Sequence, residues 1–490
     1  MKARLPIDPA PCLLLAAGLL LTQAACHEPA EGQAPSPGPS IVLITIDTLR
    51  VDHLGCYGYP RDTSPVIDSI AARGVRFEDV LAQSSWTLPS MVSMMTGRYV
   101  LSPVGGVPAA ETTLAEELRR AGYHTAAFVT NDLVGHKEGF DRGFDTYRVG
   151  LEVAPPGLDL EDPTLGMSGV QTDVALDWLE GSADEPFLVY MHYMEPHAPY
   201  GPPEGAHHFA ADDRPPEPAR DARHERALQE DPELRASAEA ERSAMGETVD
   251  LYDSDVRYAD ASIGRLLEGL ERLGKLQDTI VVVTADHGEG LFERRRADVH
   301  IDREVAGDPR RLTDTFLRGH SENLHAELVK APLILMGPGI ARGAVVEETV
   351  ANVDVLPTVL DLVGLDPSGR DGRSLAPTLR APDKAPDASR MLYSWTHLTV
   401  AVVQTELELK LVLPTEAGEL AGIAPAMYDL GADPGEDVDL LAGASAEQLA
   451  IAADLERALA EAAERWRARD RAPELSDETR QKMRELGYIE

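Results

Sequence analysis

Cysteine is almost absent, with three in 490 residues. Cys12 lies inside an apolar N-terminal stretch and Cys26 just beyond it, so only Cys56 is left for the folded part. No internal disulfide is expected. Positive charge is scarce as well. Lys and Arg number 45 against 83 Asp and Glu, a formal net charge of −38. Such a balance excludes nucleic acid and anionic lipid surfaces as partners. A chain this acidic that still handled an anionic ester would need a local cation, which points to a bound metal. The apolar run at 12–21 is too short to span a bilayer. No internal repeat is visible.

What is present begins with an address. Residues 1–25 place Lys2 and Arg4 ahead of the apolar core, the pattern of a signal peptide. Ala24-Ala25-Cys26 resembles a bacterial lipoprotein cleavage site, with Cys26 as the lipid carrier. On that reading the protein is exported and tethered to a membrane in the periplasm by its lipid alone. Gln23 replaces the usual aliphatic residue, which leaves ordinary secretion open, and an uncleaved anchor is a further alternative. Residues 26–39 are rich in Pro, Gly, Ala and Ser and read as a flexible linker.

Beyond the linker, helix-like and strand-like segments alternate. Helices are expected at 112–121, 172–179 and 250–273, and strands at 125–130, 187–191 and 332–336. In the longest helix Val256, Ile263, Leu266, Leu267 and Leu270 recur at helical spacing. The alternation predicts a mostly parallel sheet covered by helices on both faces. Residues 204–243 read as a charged excursion over the surface, and 292–318 as an Arg- and Asp-rich lid or mouth loop. From about residue 390 the pattern changes to strands of a small antiparallel sheet, followed by a helix at 446–469.

Three stretches carry the chemistry. In Ser85-Trp86-Thr87-Leu88-Pro89, Thr87 sits just before a short helix, with Pro89 in its first turn and Gly97 as its stop. A hydroxyl there faces unpaired N–H groups and the positive end of the helix dipole, although Thr87 as a plain N-cap is the simpler reading. The apolar run at 41–46 ends in Asp47, and the run at 279–285 ends in Asp286-His287-Gly288. Both read as buried strands, and ligands in open α/β sheets bind beyond the strands' carboxyl ends. Two such ends and a hydroxyl form one metal site.

With these motifs in order, the chain resembles the sulfatase family of the alkaline-phosphatase-like superfamily. The likeness runs from about Ser40 to the C-terminus and includes 47–59, 84–99, Pro196-His197-Ala198-Pro199, Asp286-His287-Gly288 and Met427-Tyr428-Asp429-Leu430. It implies an α/β/α sandwich with a mostly parallel central sheet, a catalytic domain at 40–389 and a small antiparallel C-terminal subdomain at 390–490. It also implies one divalent ion held by Asp47, Thr87, Asp286 and His287, with Thr87 as nucleophile. An oxygen set with one imidazole suits Mn²⁺ or Zn²⁺ better than Ca²⁺. His197 and His320 match positions that hold the substrate's charged group or protonate the leaving oxygen. His192 and Arg50 are weaker substrate candidates; for Arg50 a loop-fixing salt bridge is equally good.

Departures from the sulfatase pattern matter. Sulfatases use a formylglycine made from Cys or Ser, and Thr87 is no substrate for that modification. Met91 replaces the motif's Arg, Thr48 a usual metal-binding acid, and Val129-Thr130-Asn131-Asp132 lacks the sulfate-pocket Lys and His. The resulting expectation is a metal-dependent hydrolase of sulfate or phosphate esters, with phosphoester chemistry favoured. Its substrate would be a small-molecule, glycan or lipid ester. The alternatives are an arylsulfatase-like sulfuric ester hydrolase, an envelope phospho-group transferase, and a binding protein that kept the fold without turnover.

Overall fold

The computed structural model describes residues 38–469, apart from 156–157, 159–165, 182–185, 217, 231–237, 296–315 and 385–388, and also residue 481. The signal, its cleavage site and the linker up to residue 37 lie outside the described residues, as does most of the 292–318 segment.

Sixteen strands are described. In chain order they are β1 (Ser40–Ile46), β2 (Val75–Phe77), β3 (Val80–Leu81), β4 (His124–Val129), β5 (Thr146–Val149), β6 (Phe187–Tyr193), β7 (Thr279–Ala285) and β8 (Gly290–Arg295). Then follow β9 (Phe316–Gly319), β10 (Leu333–Met336), β11 (Ala344–Val346), β12 (Val350–Ala351), β13 (Met391–Trp395), β14 (Thr399–Gln404), β15 (Leu409–Pro414) and β16 (Ala426–Asp429). An eight-stranded sheet runs β11-β2-β10-β7-β1-β6-β4-β5, parallel except for β10.

The burial of β1 shows why this sheet needs two covers. Ile41 and Leu43 belong to one apolar cluster, and Val42, Ile44 and Ile46 to another, as the period-two pleat requires. The first cluster takes Leu88, Met91, Val92, Met94 and Met95 from the helix Thr87–Thr96, and Leu114 and Leu118 from Leu114–Arg120. The second takes Ile67 and Ile70 from Pro65–Arg73, Val174 and Leu179 from Met167–Gly181, and the Val256-to-Leu270 stripe. The result is the expected α/β/α sandwich.

The expected stripe helix runs Ala238–Arg272, beginning before the 250 read from sequence. The stretch at 204–243 is also less superficial than its charge suggests. Its helix Pro218–Glu230 buries Ala227 and Leu228 against Met245, Phe292 and Phe316, and His224 Nε2 lies 2.9 Å from the Phe292 carbonyl. A second sheet, β13-β14-β15-β16, is antiparallel throughout. It is backed by the helix Ala446–Arg469, whose Leu455, Leu459 and Trp466 join the first cluster. Its first strand reaches the segment before Thr87. Trp395 N donates to the Gln83 carbonyl at 2.8 Å, Ser84 Oγ to the Trp395 carbonyl at 2.6 Å, and Ser394 Oγ to the Ala82 carbonyl at 2.6 Å.

Candidate active site

Register brings the two acids together. β1 lies parallel between β6 and β7, with Ile46 beside both Tyr193 and Ala285. Asp47 and Asp286, the next residue on each strand, therefore emerge side by side at the carboxyl ends. Thr48 then turns the chain with φ 55°, a conformation β-branched residues rarely adopt. That turn aims its N–H at Asp286 Oδ1, 3.2 Å away, while the His287 N–H donates to the same oxygen at 2.9 Å. Ser90 Oγ, from the helix Thr87–Thr96, donates to the Asp286 carbonyl at 2.5 Å and ties that helix to the strand end.

The helix starts at Thr87 itself. Trp86, with extended backbone, is the N-cap and its side chain makes no capping bond. Thr87 is thus neither just outside the helix nor its cap, which corrects both sequence readings. The consequence is chemical. A fully buried hydroxyl with no capping duty is left among the acids, with Oγ1 3.5 Å from His287 Nε2 and 3.3 Å from Asn131 Nδ2. Gly97 closes the helix in the left-handed region at φ 67°, as its sequence position suggested.

Asp47, Asp286 and His287 are each 0% exposed, and one ligand atom from each lies within 4.8 Å of the others. Nε2 of His287 is 3.3 Å from Asp286 Oδ2 and 3.9 Å from Asp47 Oδ1. Those two carboxylate oxygens are buried and accept no hydrogen bond among the described residues. His287 Nδ1 lies 2.8 Å from the Gly288 carbonyl, so that nitrogen carries the hydrogen and Nε2 offers its lone pair to the cluster. Burial, and then His320, lower the His287 pKa to about 4, which keeps the ring neutral. Burial and the facing Asp286 raise Asp47 well above the usual carboxylate range. Two unsatisfied acids, a neutral imidazole and a hydroxyl fit a divalent cation, whose charge would offset the repulsion.

Around this core the expected histidines take different places. His320 and His197 form an aromatic chain with His287: ring centroids are 4.5 Å apart for His287–His320 and 5.1 Å for His197–His320. Burial, and then His320, lower the His197 pKa to about 4. His192 is 0% exposed, 4.0 Å from Asp47 Oδ2, and neither ring nitrogen has a hydrogen-bond partner among the described residues. Burial lowers its pKa. It comes from β6, where it pairs with Thr45 of β1.

Arg50 takes the salt-bridge alternative. Its Nε and Nη2 bind Asp52 at 2.9 and 2.7 Å, and Nη1 binds Glu293 and, at 3.0 Å, the Glu289 carbonyl. These bonds engage all three nitrogens of the guanidinium.

Two residues were missed. Asn131 Nδ2 donates to Asp47 Oδ2 at 2.7 Å as well as facing Thr87, and its Oδ1 accepts from Leu133 N at 2.9 Å. Glu289, 0% exposed, lies 3.1 Å from His320 Nδ1 and accepts from the Tyr200 hydroxyl at 2.9 Å. Burial opposes its charge, but His320 holds its pKa down at about 2.

Comparison with known proteins gives the same reading at family level. The Sulfatase family model matches residues 39–365. Arylsulfatase A of Homo sapiens is 27% identical over 455 residues, covering 84% of this chain and 85% of that protein. The ulvan-active sulfatase of Formosa agariphila is 26% identical over 476 residues, covering 90% and 84%. Among solved structures, the phosphonate monoester hydrolase of Agrobacterium radiobacter superposes with a TM-score of 0.65 at 20% identity, covering 87% of this chain and 96% of that one. With two thirds of its length matched by the family model and the acid, hydroxyl and imidazole groups gathered at the strand ends, the chain belongs to the Sulfatase family.

Proposed function

We propose that this member of the family cleaves phosphoesters with the Thr87 hydroxyl as nucleophile, and sulfate esters poorly. The observation that carries the reading is the placement of Thr87 Oγ1, uncapped and fully buried, between His287 Nε2 and Asn131 Nδ2 at a helix N-terminus. Asp47, Asp286, His287 and Thr87 would hold the divalent ion, Mn²⁺ or Zn²⁺ by donor type. Bound there, the ion supplies positive charge that lowers the pKa of the hydroxyl and favours an anionic group beside it.

The chain's own residues do the rest. The Thr87 oxygen attacks phosphorus, and the first-turn N–H groups and Asn131 Nδ2 face the phosphoryl oxygens. His197 holds the charged group, and His320 gives a proton to the departing oxygen. Water, or an alcohol in a transferase, then displaces the phosphoryl group from Thr87. A sulfate ester on Thr87 has no comparable exit. Formylglycine escapes by carbon–oxygen cleavage, but the Cβ of Thr carries a methyl group and cannot become an aldehyde hydrate. Water would have to attack a hindered sulfur.

The fold is shared by sulfate-ester and phosphonate-ester hydrolases and does not choose between them. The test is turnover of matched aryl phosphate, phosphodiester, phosphonate and sulfate esters, with mass analysis of quenched enzyme. Phosphate trapped on Thr87, and lost in Thr87→Ala, is the expected result. Multiple turnovers on the sulfate alone would overturn it.

Export and a lipid tether at Cys26 remain our reading of the N-terminal sequence. Among the described residues no helix is long and apolar enough to cross a membrane. Intact-mass analysis of the membrane fraction tests the tether, and an unmodified soluble product would defeat it.

A further inference from the structure

We infer that Glu289 is a positioning residue that aims His320 at the leaving group, and that Glu289, His320 and Tyr200 work as one unit. The inference rests on the proposed ester cleavage at Thr87 and goes beyond it by assigning the residue that makes the leaving-group proton deliverable.

Three observations converge. Glu289 is two residues past His287, and its carboxylate is engaged by His320 and Tyr200. It has no exposed surface, and both oxygens are committed. Oε1 lies 3.1 Å from His320 Nδ1 and accepts from Gly290 N at 3.1 Å; Oε2 accepts from the Tyr200 hydroxyl at 2.9 Å. The main chain of Glu289 is held as well, its carbonyl accepting from Arg50 Nη1 at 3.0 Å. A buried acid held on this many sides fixes the ring that leans on it.

His320 has need of such a hold. It follows Gly319, whose φ is 105°, and precedes Ser321, whose φ is 84°. A backbone turned so sharply on both sides aims its side chain only as well as its contacts do. Ser321 N donates to the Ser85 carbonyl at 2.8 Å, which ties the His320 turn to the segment carrying Thr87. Because Nδ1 is engaged by Glu289, the leaving-group proton is assigned to Nε2 in the proposed mechanism. As the ester oxygen–phosphorus bond breaks, the proton on Nε2 passes to the departing oxygen. In the second half the attacking water or alcohol returns a proton to the same nitrogen, and the unit is restored. An uncompensated imidazole would be free to rotate, and a carboxylate orienter with this role contributes through the histidine rather than by touching substrate.

The leaving group provides a readout that a purely structural role would not move. 4-Nitrophenolate departs without a proton, whereas an alkoxide needs one. Glu289→Gln keeps the size and the bond from Tyr200 but loses the charge. Its kcat on alkyl phosphoesters is expected to fall on the order of 100-fold, with the 4-nitrophenyl ester nearly unaffected and metal content unchanged. Tyr200→Phe, which spares the Glu289–His320 bond, should give a smaller loss of the same kind. In a His320→Asn background the added Glu289→Gln should cost nothing further on the alkyl ester, because the two act as a unit. Equal losses on both ester types in folded Glu289→Gln, or additive losses in the double variant, would overturn the inference. Full activity of Thr87→Ala would instead overturn the reading of the site on which it stands.

Discussion

At the scale of residues, the site is a problem of like charges. Asp47 and Asp286 face each other in a dry environment with one oxygen apiece unsatisfied, a situation that costs several kcal/mol unless a cation sits between them. Removing the ion should therefore destabilise the fold as well as stop catalysis. A chelator is expected to lower the melting temperature of the native protein. Asp286→Ala should lack the ion by elemental analysis, lack activity, and melt at the same temperature with or without chelator. Unchanged metal occupancy in that variant would show the ligand assignment to be wrong. The acids and His287 were readable from sequence because each closes an apolar run, and burial of the run fixes where its end must lie. Asn131 was not. The segment 129–132 drew notice for the Lys and His it lacks, and only the pairing of Val129 beside His192 in β4 and β6 carries Asn131 to Asp47. Glu289 was hidden for a related reason: nothing in its own segment announces that a turn beginning 31 residues later returns His320 to it.

At the scale of elements, the helix Thr87–Thr96 shows what local rules decide and what they leave out. All ten of its residues are buried, so it has no solvent face to give a periodic signal, and its ends had to be read from Pro89 and Gly97 alone. The stop was read correctly because an αL residue almost demands glycine. The start was displaced by one position, since a Thr before a helix ordinarily caps it, and here tertiary packing by Ser84 and Trp395 holds Trp86 in that role instead. The start of Ala238–Arg272 was missed because its first turns are polar and Ala-rich, carrying little of the apolar stripe that betrays the rest. The stop makes a clean test. At φ 67° an added methyl group is strained, and it would also meet the Arg370 side chain at 3.3 Å. Gly97→Ala is expected to cost about 1–2 kcal/mol, seen as a lower urea midpoint, with kcat unchanged because Thr87 lies at the other end of the helix. An unchanged midpoint would mean that the C-terminal turn relaxes freely.

At the scale of the whole molecule, buried ion pairs join the small sheet to the strands that carry the site. Lys410 on β15, 2% exposed, contacts Glu436 at 2.8 Å, and Glu436 in turn meets His325 Nδ1 at 2.8 Å. Arg294 on β8 pairs with Glu327 at 2.7 Å and donates to the Gly435 carbonyl at 2.6 Å. Arg390 binds Asp354 through two bonds of 2.7 and 2.8 Å. The acidic run at 433–439 lies in this seam, and the pairing is illegible in sequence because its partners come from distant segments. The seam abuts the ion site. A Cβ on Gly288 would lie 2.1 Å from the Glu327 carbonyl, so the loop carrying His287 is seated directly on it. Acid should open it from this side. Burial opposes the Glu327 charge, yet Arg294 holds its pKa down at about 2, against about 4.3 for a free glutamate. Lys410 likewise holds Glu436 below its ordinary value against the cost of burial. Because both folded pKa values are depressed, their stabilisation is fully present above about pH 5 and is lost as pH falls towards 2. Burial lowers the pKa of His325, which acts in the same direction, since the unfolded chain takes up that proton first. For Glu327 alone the loss is on the order of 3 kcal/mol. Urea midpoints measured from pH 7 to pH 3 should fall steeply in the native protein. Glu327→Gln should start lower at pH 7, where it leaves Arg294 buried without its partner, and fall with a shallower slope. Parallel profiles for the two proteins would remove Glu327 from the acid response and place it in the acids of the ion site instead.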